Sequence, residues 1–352
     1  MLCRSILAFA VLALAGAPLQ CVRSHGADVP QRGWVLYDRM CAVCHGRDGA
    51  GYAADQAPAL SNREFLASAS DVYLRSAIAR GRTGTTMSAW GSERGGPLSP
   101  ADVDAIIAFM RTWPRPQRAV LDERPLTGHV DAGTAIYARE CVQCHGARGI
   151  GGTYERIGGP ELLTDATDGY LRYAIRRGRS GTPMLPFGSR LSENGVEDVV
   201  ALIRSWQPTS PPSGPLAPAH IPPLPLGPVP LNRSGPEPLG FHAGGAPTSV
   251  DVVKAQLDRG ARMALLDARA PSDYVRDHIR GAVSVPFYDP APYVAALPRD
   301  AWLVCYCSCP HAESGQLAQK LISKGFTKVT VLDEGLGVWR SRKYPTRGGI
   351  DP

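Results

Sequence analysis

Two periodicities divide the chain. Between residues 30 and 208 apolar positions recur at helical spacing. Near the end of the first stretch, Val103, Ile106, Ile107 and Met110 fall on one helix face. Ser99 stands at the N-cap position and Asp102 three residues on completes a capping-box pattern. After residue 248 the period changes. "MALLDAR", "AVSVPF", "WLVCYC" and "KVTVL" read as strands, with "SVDVVKAQLDRG", "PSDYVRDH" and "ESGQLAQKLISKG" as helices between them. That alternation predicts a small α/β domain with a parallel sheet. Between the two regions, residues 209–247 are rich in proline, which removes donors and favours extended polyproline II. Such a spacer spans on the order of 100 Å or wraps along a surface, so the last domain need not sit beside the helical region. His220 and His242 read as ordinary linker residues.

The helical region is a repeat. "GWVLYDRMCAVCHGRDGAG" from Gly33 matches "GTAIYARECVQCHGARGIGG" from Gly133, pairing Tyr37 with Tyr137, Cys41 with Cys141 and His45 with His145. "AIARGRTGTTMSAWG" then parallels "AIRRGRSGTPMLPFG", and "LSPADVDAIIAFMRTW" parallels "LSENGVEDVVALIRSW". Each unit, 30–115 and 128–208, is too short to bury much core unless a large prosthetic group fills it.

The N-terminus changes where the cysteines are read. Arg4 precedes an apolar run over residues 6–17, shorter than the ~20 residues that span a bilayer, so residues 1–27 read as a secretory signal peptide. "PLQ" before Cys21 fits a lipid-attachment site poorly. No later stretch is apolar enough to cross a membrane, and the expected location is periplasmic or otherwise exported. In an oxidising compartment, thiols need a reason. The formal charge of +6 comes without polybasic runs, which argues against nucleic-acid binding.

Two CxxCH motifs supply one reason. On a helix, positions i, i+3 and i+4 share a face, so Cys41 and Cys44 reach two vinyl groups of one porphyrin while His45 lies beneath the ring. Cys141, Cys144 and His145 repeat the pattern, which is the signature of c-type haem attachment. A zinc site would gather four ligands, and a thioredoxin-like pair would sit in a βαβ unit. Met87 and Met184, each after a "GxxGT" loop, are the expected sixth ligands. A thioether on iron raises the haem potential and leaves no open position. Met40, Met110 and Met263 read as other than ligands. Residues 30–115 and 128–208 thus resemble two class I cytochrome c domains. The resemblance implies helical folds around two covalently attached haem c groups, electron shuttling and a redox partner protein. Arg80, Arg82, Arg177 and Arg179 then either dock an acidic partner or face haem propionates.

The last domain resembles the rhodanese family over 248–348, through "LLDARAPSDYVRDHIRGAVSVPF" and "GFTKVTVLDEGLGVWRSRKYP". The family implies sulfur transfer through a cysteine persulfide in a loop between a strand and a helix N-terminus, where backbone N–H groups stabilise an anion. Of Cys305, Cys307 and Cys309, Cys305 reads as a buried strand residue. Cys307 follows Tyr306 at the strand end and is the candidate nucleophile, with Cys309 as a resolving thiol or disulfide partner. The loop departs from the family in carrying Glu313 where an arginine is usual, which opposes thiosulfate binding. His311 either tunes the thiolate or is solvated, and Asp267 and Arg269 read as structural. Two functions lead: an exported dihaem carrier that accepts electrons from sulfane sulfur handled at Cys307, or a dihaem carrier whose third domain only docks; a third, a thiol-disulfide reporter using Cys307 and Cys309, predicts a disulfide that forms without any sulfur donor.

Overall fold

The structure is a computed structural model, which describes residues 28–54, 56–114, 117–207, 228–309 and 311–352. The signal-peptide reading over 1–27, Cys21, His220 and much of the proline-rich stretch lie outside the described residues.

Each helical unit is built on the pairing of its first and last helices. Asp28–Met40 packs on Pro100–Met110, and Val130–Glu140 packs on Glu193–Ser205. Glycine permits the closeness of both crossings. A Cβ on Gly33 would lie 2.0 Å from the Ala105 carbonyl oxygen, and one on Gly133 would lie 2.1 Å from that of Asp198. Ser99 and Asp102 form the expected capping box. Tyr37 and Tyr137 are buried, pack edge-on against Trp113 and Trp206, and donate to the Gly46 and Gly146 carbonyls at 2.8 Å. Arg111 and Arg204 each tie a final helix to two carbonyls of the same unit, Leu66 and Ala69 in one, Leu163 and Ala166 in the other.

The units meet about a local two-fold. Tyr73 and its repeat equivalent Tyr170 stack at 4.9 Å, and like residues touch in this way only near a symmetry axis. Around them Asp165 accepts from Ser76 (2.7 Å) and Arg82 (2.9 Å), and Glu64 accepts from the Ser180 hydroxyl (2.9 Å).

The C-terminal domain is α/β. Its five strands are β1 (Pro247–Thr248), β2 (Met263–Asp267), β3 (Ala282–Ser284), β4 (Trp302–Tyr306) and β5 (Val329–Leu332). They pair in parallel in the order β1-β5-β4-β2-β3. β2, β4 and β5 are buried along their whole length, as central parallel strands must be. The sequence pattern missed β1, the helix Gly335–Ser341 and a two-stranded pairing of His278–Ile279 with Thr346–Arg347. The described part of the proline-rich stretch lies along this domain. Glu237 accepts from Trp302 Nε1 at 2.8 Å and pairs with Lys328 and Arg262. Among the described residues no helix is long and apolar enough to cross a membrane.

The spacer does not hold this domain away. It packs against the first helical unit. Arg39 donates to the Tyr288 carbonyl (2.8 Å) and pairs with Asp289 (3.2 Å), while Trp90 packs on Phe287 and Tyr288. Ser88 donates to Asp273, and Ser272 donates to the Ala89 carbonyl at 2.9 Å. Surface complementarity between the domains decides their placement, and linker composition carries no record of it.

Candidate haem cavities and cysteine loop

Each CxxCH begins where a long helix ends. Asp28–Met40 stops at Cys41, and a single turn, Ala42–His45, follows before Gly46 at φ 78°. The second unit repeats this through Val142–His145 and Gly146 at φ 73°. The turn puts both cysteines and the histidine on one cavity wall. Cys41, Cys44, His45 and Met87 all line a cavity of about 510 Å³ in the first unit. Cys141, Cys144, His145 and Met184 line one of about 360 Å³ in the second. The two cavities share Gln56, Pro58, Phe65, Tyr154, Glu155 and Leu162 as lining. Met40, Met110 and Met263 are buried.

The residues fit a haem c. His45 Nδ1 lies 3.0 Å from the Pro58 carbonyl and His145 Nδ1 2.9 Å from that of Glu155. A carbonyl only accepts, so Nδ1 carries the proton and Nε2 keeps its lone pair for iron. Burial lowers the His45 pKa against the opposing effect of the Pro58 carbonyl, and favours the neutral ligand form. Burial pushes Cys41 up to about 12 and Cys141 up to about 11, helped in Cys141 by Glu140 and Cys144. Arg82 Nη2 and Arg156 Nε are buried without a partner, and both residues line the first cavity. Haem propionates would satisfy such cations. The arginines near the methionine loops therefore divide. Arg82 and Arg179 turn inward over Tyr73 and Tyr170, at 5.3 and 5.6 Å, whereas Arg80 and Arg177 are exposed.

The cysteine loop follows β4. Cys305 faces the sheet interior, fully buried, and burial raises its pKa. Cys307, also fully buried, stands at the strand end. Its Sγ lies 3.1 Å from Cys309 Sγ, 3.3 Å from Ser314 Oγ and 2.6 Å from the Cys309 carbonyl. As a thiol it donates to that carbonyl. As a thiolate it accepts from Cys309, Ser314 and the N–H groups of Ser314 and Glu313. Burial raises its pKa, and these donors together outweigh burial, leaving it lowered to about 7. The hydrogen bond to Cys307, then burial, pushes Cys309 upward.

Cys307, Cys309 and Glu313 place ligand atoms within 4.8 Å of one another. No disulfide is present among the described cysteines. His311 adopts φ 67° at the start of the helix Ala312–Ser323 and pairs with Asp333 at 2.7 Å. Arg269 makes a buried ion pair with Asp267 at 2.6 Å and reaches Ser308 of the loop at 3.4 Å. That helix packs on the turn Ala42–His45, and Glu313 lines the first cavity together with His45 and Met87. Sequence reasoning missed this placement, together with Ser88, Asp273 and Arg39.

Comparison with known proteins gives the domains their families. The model "Rhodanese-like domain" matches residues 249–342, and "Cytochrome C oxidase, cbb3-type, subunit III" matches residues 28–110 and 128–203. A thiosulfate sulfurtransferase GlpE from Pseudomonas fluorescens is 36% identical over 26% of this chain and 83% of its own length. A cbb3-type cytochrome c oxidase subunit FixP from Bradyrhizobium sp. is 27% identical over 49% of this chain and 60% of its own. A thiosulfate dehydrogenase electron acceptor from Stutzerimonas stutzeri is 30% identical over 32% of this chain and 51% of its own. The chain belongs to the rhodanese-like family through its C-terminal domain, and ahead of that domain it carries two regions of the cbb3-type cytochrome c family. Domains of that type imply haem c.

Proposed function

We propose that the chain is an exported, periplasmic dihaem electron carrier whose rhodanese-like domain takes up sulfane sulfur at Cys307 and supplies electrons to the haems. The observation that carries this reading is Glu313. It stands at the start of the helix after the cysteine loop and also lines the cavity of His45 and Met87. The cysteine loop and the first cavity are thereby neighbours.

In this reading Cys41 and Cys44 would hold the first haem, with His45 and Met87 as the side chains offered to its iron. Cys141, Cys144, His145 and Met184 would hold the second. Haem c, when bound, supplies one-electron acceptance and release. The protein's part is to hold the imidazoles neutral, to face the propionates with Arg82 and Arg156, and to keep the two cavities against a common wall. In the loop, the Cys307 thiolate attacks the outer sulfur of a persulfide donor. A new S–S bond forms at Cys307, the donor S–S bond breaks, and the donor leaves as a thiolate. Cys309 steadies the Cys307 anion and is placed to resolve the product: a bond from its sulfur to the outer sulfur of the Cys307 persulfide would close a trisulfide and release two protons and two electrons, which two one-electron carriers would accept. The names of the relatives, a thiosulfate sulfurtransferase and a thiosulfate dehydrogenase electron acceptor, agree with a sulfur donor and a redox partner.

The second reading, a carrier with a catalytically silent docking domain, draws on the complete burial of Cys307 and on Glu313 in place of arginine. Anaerobic addition of a small persulfide to the haem-loaded protein separates the two. The first reading expects the reduced-haem bands to develop in the intact protein and not in Cys307→Ser. Equal behaviour of the two proteins would leave the docking reading.

A further inference from the structure

The two cytochrome units share a repeat but not a surface. In the first, the residue two before the CxxCH motif is Arg39, which is engaged by the Tyr288 carbonyl and the Asp289 carboxylate. The residue after Met87 is Ser88, 3% exposed, donating to Asp273. The turn Ala42–His45 is covered by the helix Ala312–Ser323. The third domain thus closes the first unit's face with two carboxylates at its edge.

The same positions in the second unit are open. Arg139 has a side chain 63% exposed against 42% for its equivalent Arg39, and Arg190 across the cavity mouth is 49% exposed. Both pair with Glu140, at 2.9 and 2.8 Å. Leu185, which replaces Ser88, is 53% exposed, and Val142, at the start of the CxxCH turn, is 37% exposed. Arg139, Leu185 and Arg190 line the mouth of the second cavity. An apolar centre at a prosthetic-group cavity, flanked by exposed arginines, has the make-up of a transient redox interface.

We propose that this face, centred on Leu185 and flanked by Arg139 and Arg190, is the docking port for an external redox protein with an acidic rim around an apolar patch. The carboxylates by which the third domain holds the first unit are the template for that chemistry. The first unit is then served from within the chain and the second from outside it. The inference rests on the dihaem reading above, but its test does not use the cysteine loop. Persulfide-driven reduction that fails in the intact protein would leave the port's exchange rates untouched.

The test uses the full-length, haem-loaded, reduced protein in stopped flow. The probes are an oxidised acidic blue-copper protein of the plastocyanin type and a basic mitochondrial cytochrome c. Arg139→Gln with Arg190→Gln is expected to slow exchange with the acidic probe about tenfold at low salt. The difference should vanish near ~1 M salt, where screening shortens to about 3 Å. Arg75→Gln, on the first unit and 45% exposed, should leave the rate unchanged. Leu185→Asp should slow the acidic probe at every salt concentration, with the red band of methionine-ligated ferric haem intact as a check on folding. An unaltered rate in the double variant overturns the proposal, as does an equal loss in Arg75→Gln. A Leu185→Asp protein that keeps its exchange rates but passes from dimer to monomer in sedimentation would assign the face to self-association and overturn it also.

Discussion

Replacing Cys309 by alanine tests the electrostatics of the loop. Cys307 lies near 7 because burial is outweighed by four donors, of which the Cys309 thiol at 3.1 Å is the foremost. Removing that donor raises the Cys307 pKa, with the ordinary value of 9.0 as a reference for a large loss. At pH 7 the thiolate fraction would then fall from about one half to about one hundredth, a loss of ~50-fold. A more basic thiolate is intrinsically more reactive, with a Brønsted slope of about 0.4–0.5. Two pH units therefore return roughly eightfold. The net expectation is sulfur uptake about sixfold slower at pH 7. The sign reverses in alkali: above about pH 8 the eightfold intrinsic gain exceeds the remaining deficit in thiolate, and the variant should be the faster. Single-turnover loading followed by the mass gain of one sulfur atom at Cys307, across pH 5.5 to about 10, gives both limbs. Cys309→Ser, which keeps a hydroxyl donor, should fall between. A variant with an unchanged apparent pKa near 7 would refute the role given to Cys309.

Two further outcomes follow from contacts remote from the loop. Asp273→Ala removes the acceptor of Ser88, the neighbour of Met87. It should weaken the methionine-ligation band of one haem and leave the other, since Leu185 stands at the same place in the second unit; loss of a charged acceptor costs about 1.5–3 kcal/mol. Arg172 and Glu197 form a buried pair at 2.7 Å in the second unit. Arg172→Leu, which strands the carboxylate, should cost about 3–5 kcal/mol in denaturant melts, with the second unit losing its haem signal first.

What was legible in the sequence is what is local. Cys41, Cys44 and His45 sit within one turn, so their shared wall follows from helical spacing alone. The repeat carries the same inference to Cys141, Cys144 and His145. Ser99 and Asp102 announce their cap across three residues, and the buried strands announce themselves as apolar runs. Arg111 and Arg204 were equally visible, as the arginine shared by "FMRTW" and "LIRSW", although no spacing rule says that such an arginine ties two distant carbonyls. The contacts that join the domains were not legible. Arg39 meets Asp289 across 250 residues, and Ser88 meets Asp273 across 185. No periodicity relates such positions, and the proline-rich stretch between them is compatible with near or far placement.

Glu313 makes sense only from that placement. Read as part of an isolated sulfurtransferase loop, a carboxylate where arginine is usual is a defect. In the folded chain it also lies on the wall of the first cavity, beside His45 and Met87. Its carboxylate lies within 4.8 Å of both sulfur atoms, and at about that separation a unit negative charge repels another by about 3 kcal/mol at an effective dielectric constant of 20, and a dianion by about twice that. If the loop takes up sulfur as proposed, that carboxylate would weigh against the thiosulfate dianion relative to a neutral or monoanionic persulfide. An arginine in the same place would attract the dianion and would set a further cation beside a cavity that already holds Arg82 and Arg156 without full partners. On the proposed reading, glutamate in place of arginine would turn the loop away from thiosulfate and towards organic persulfides.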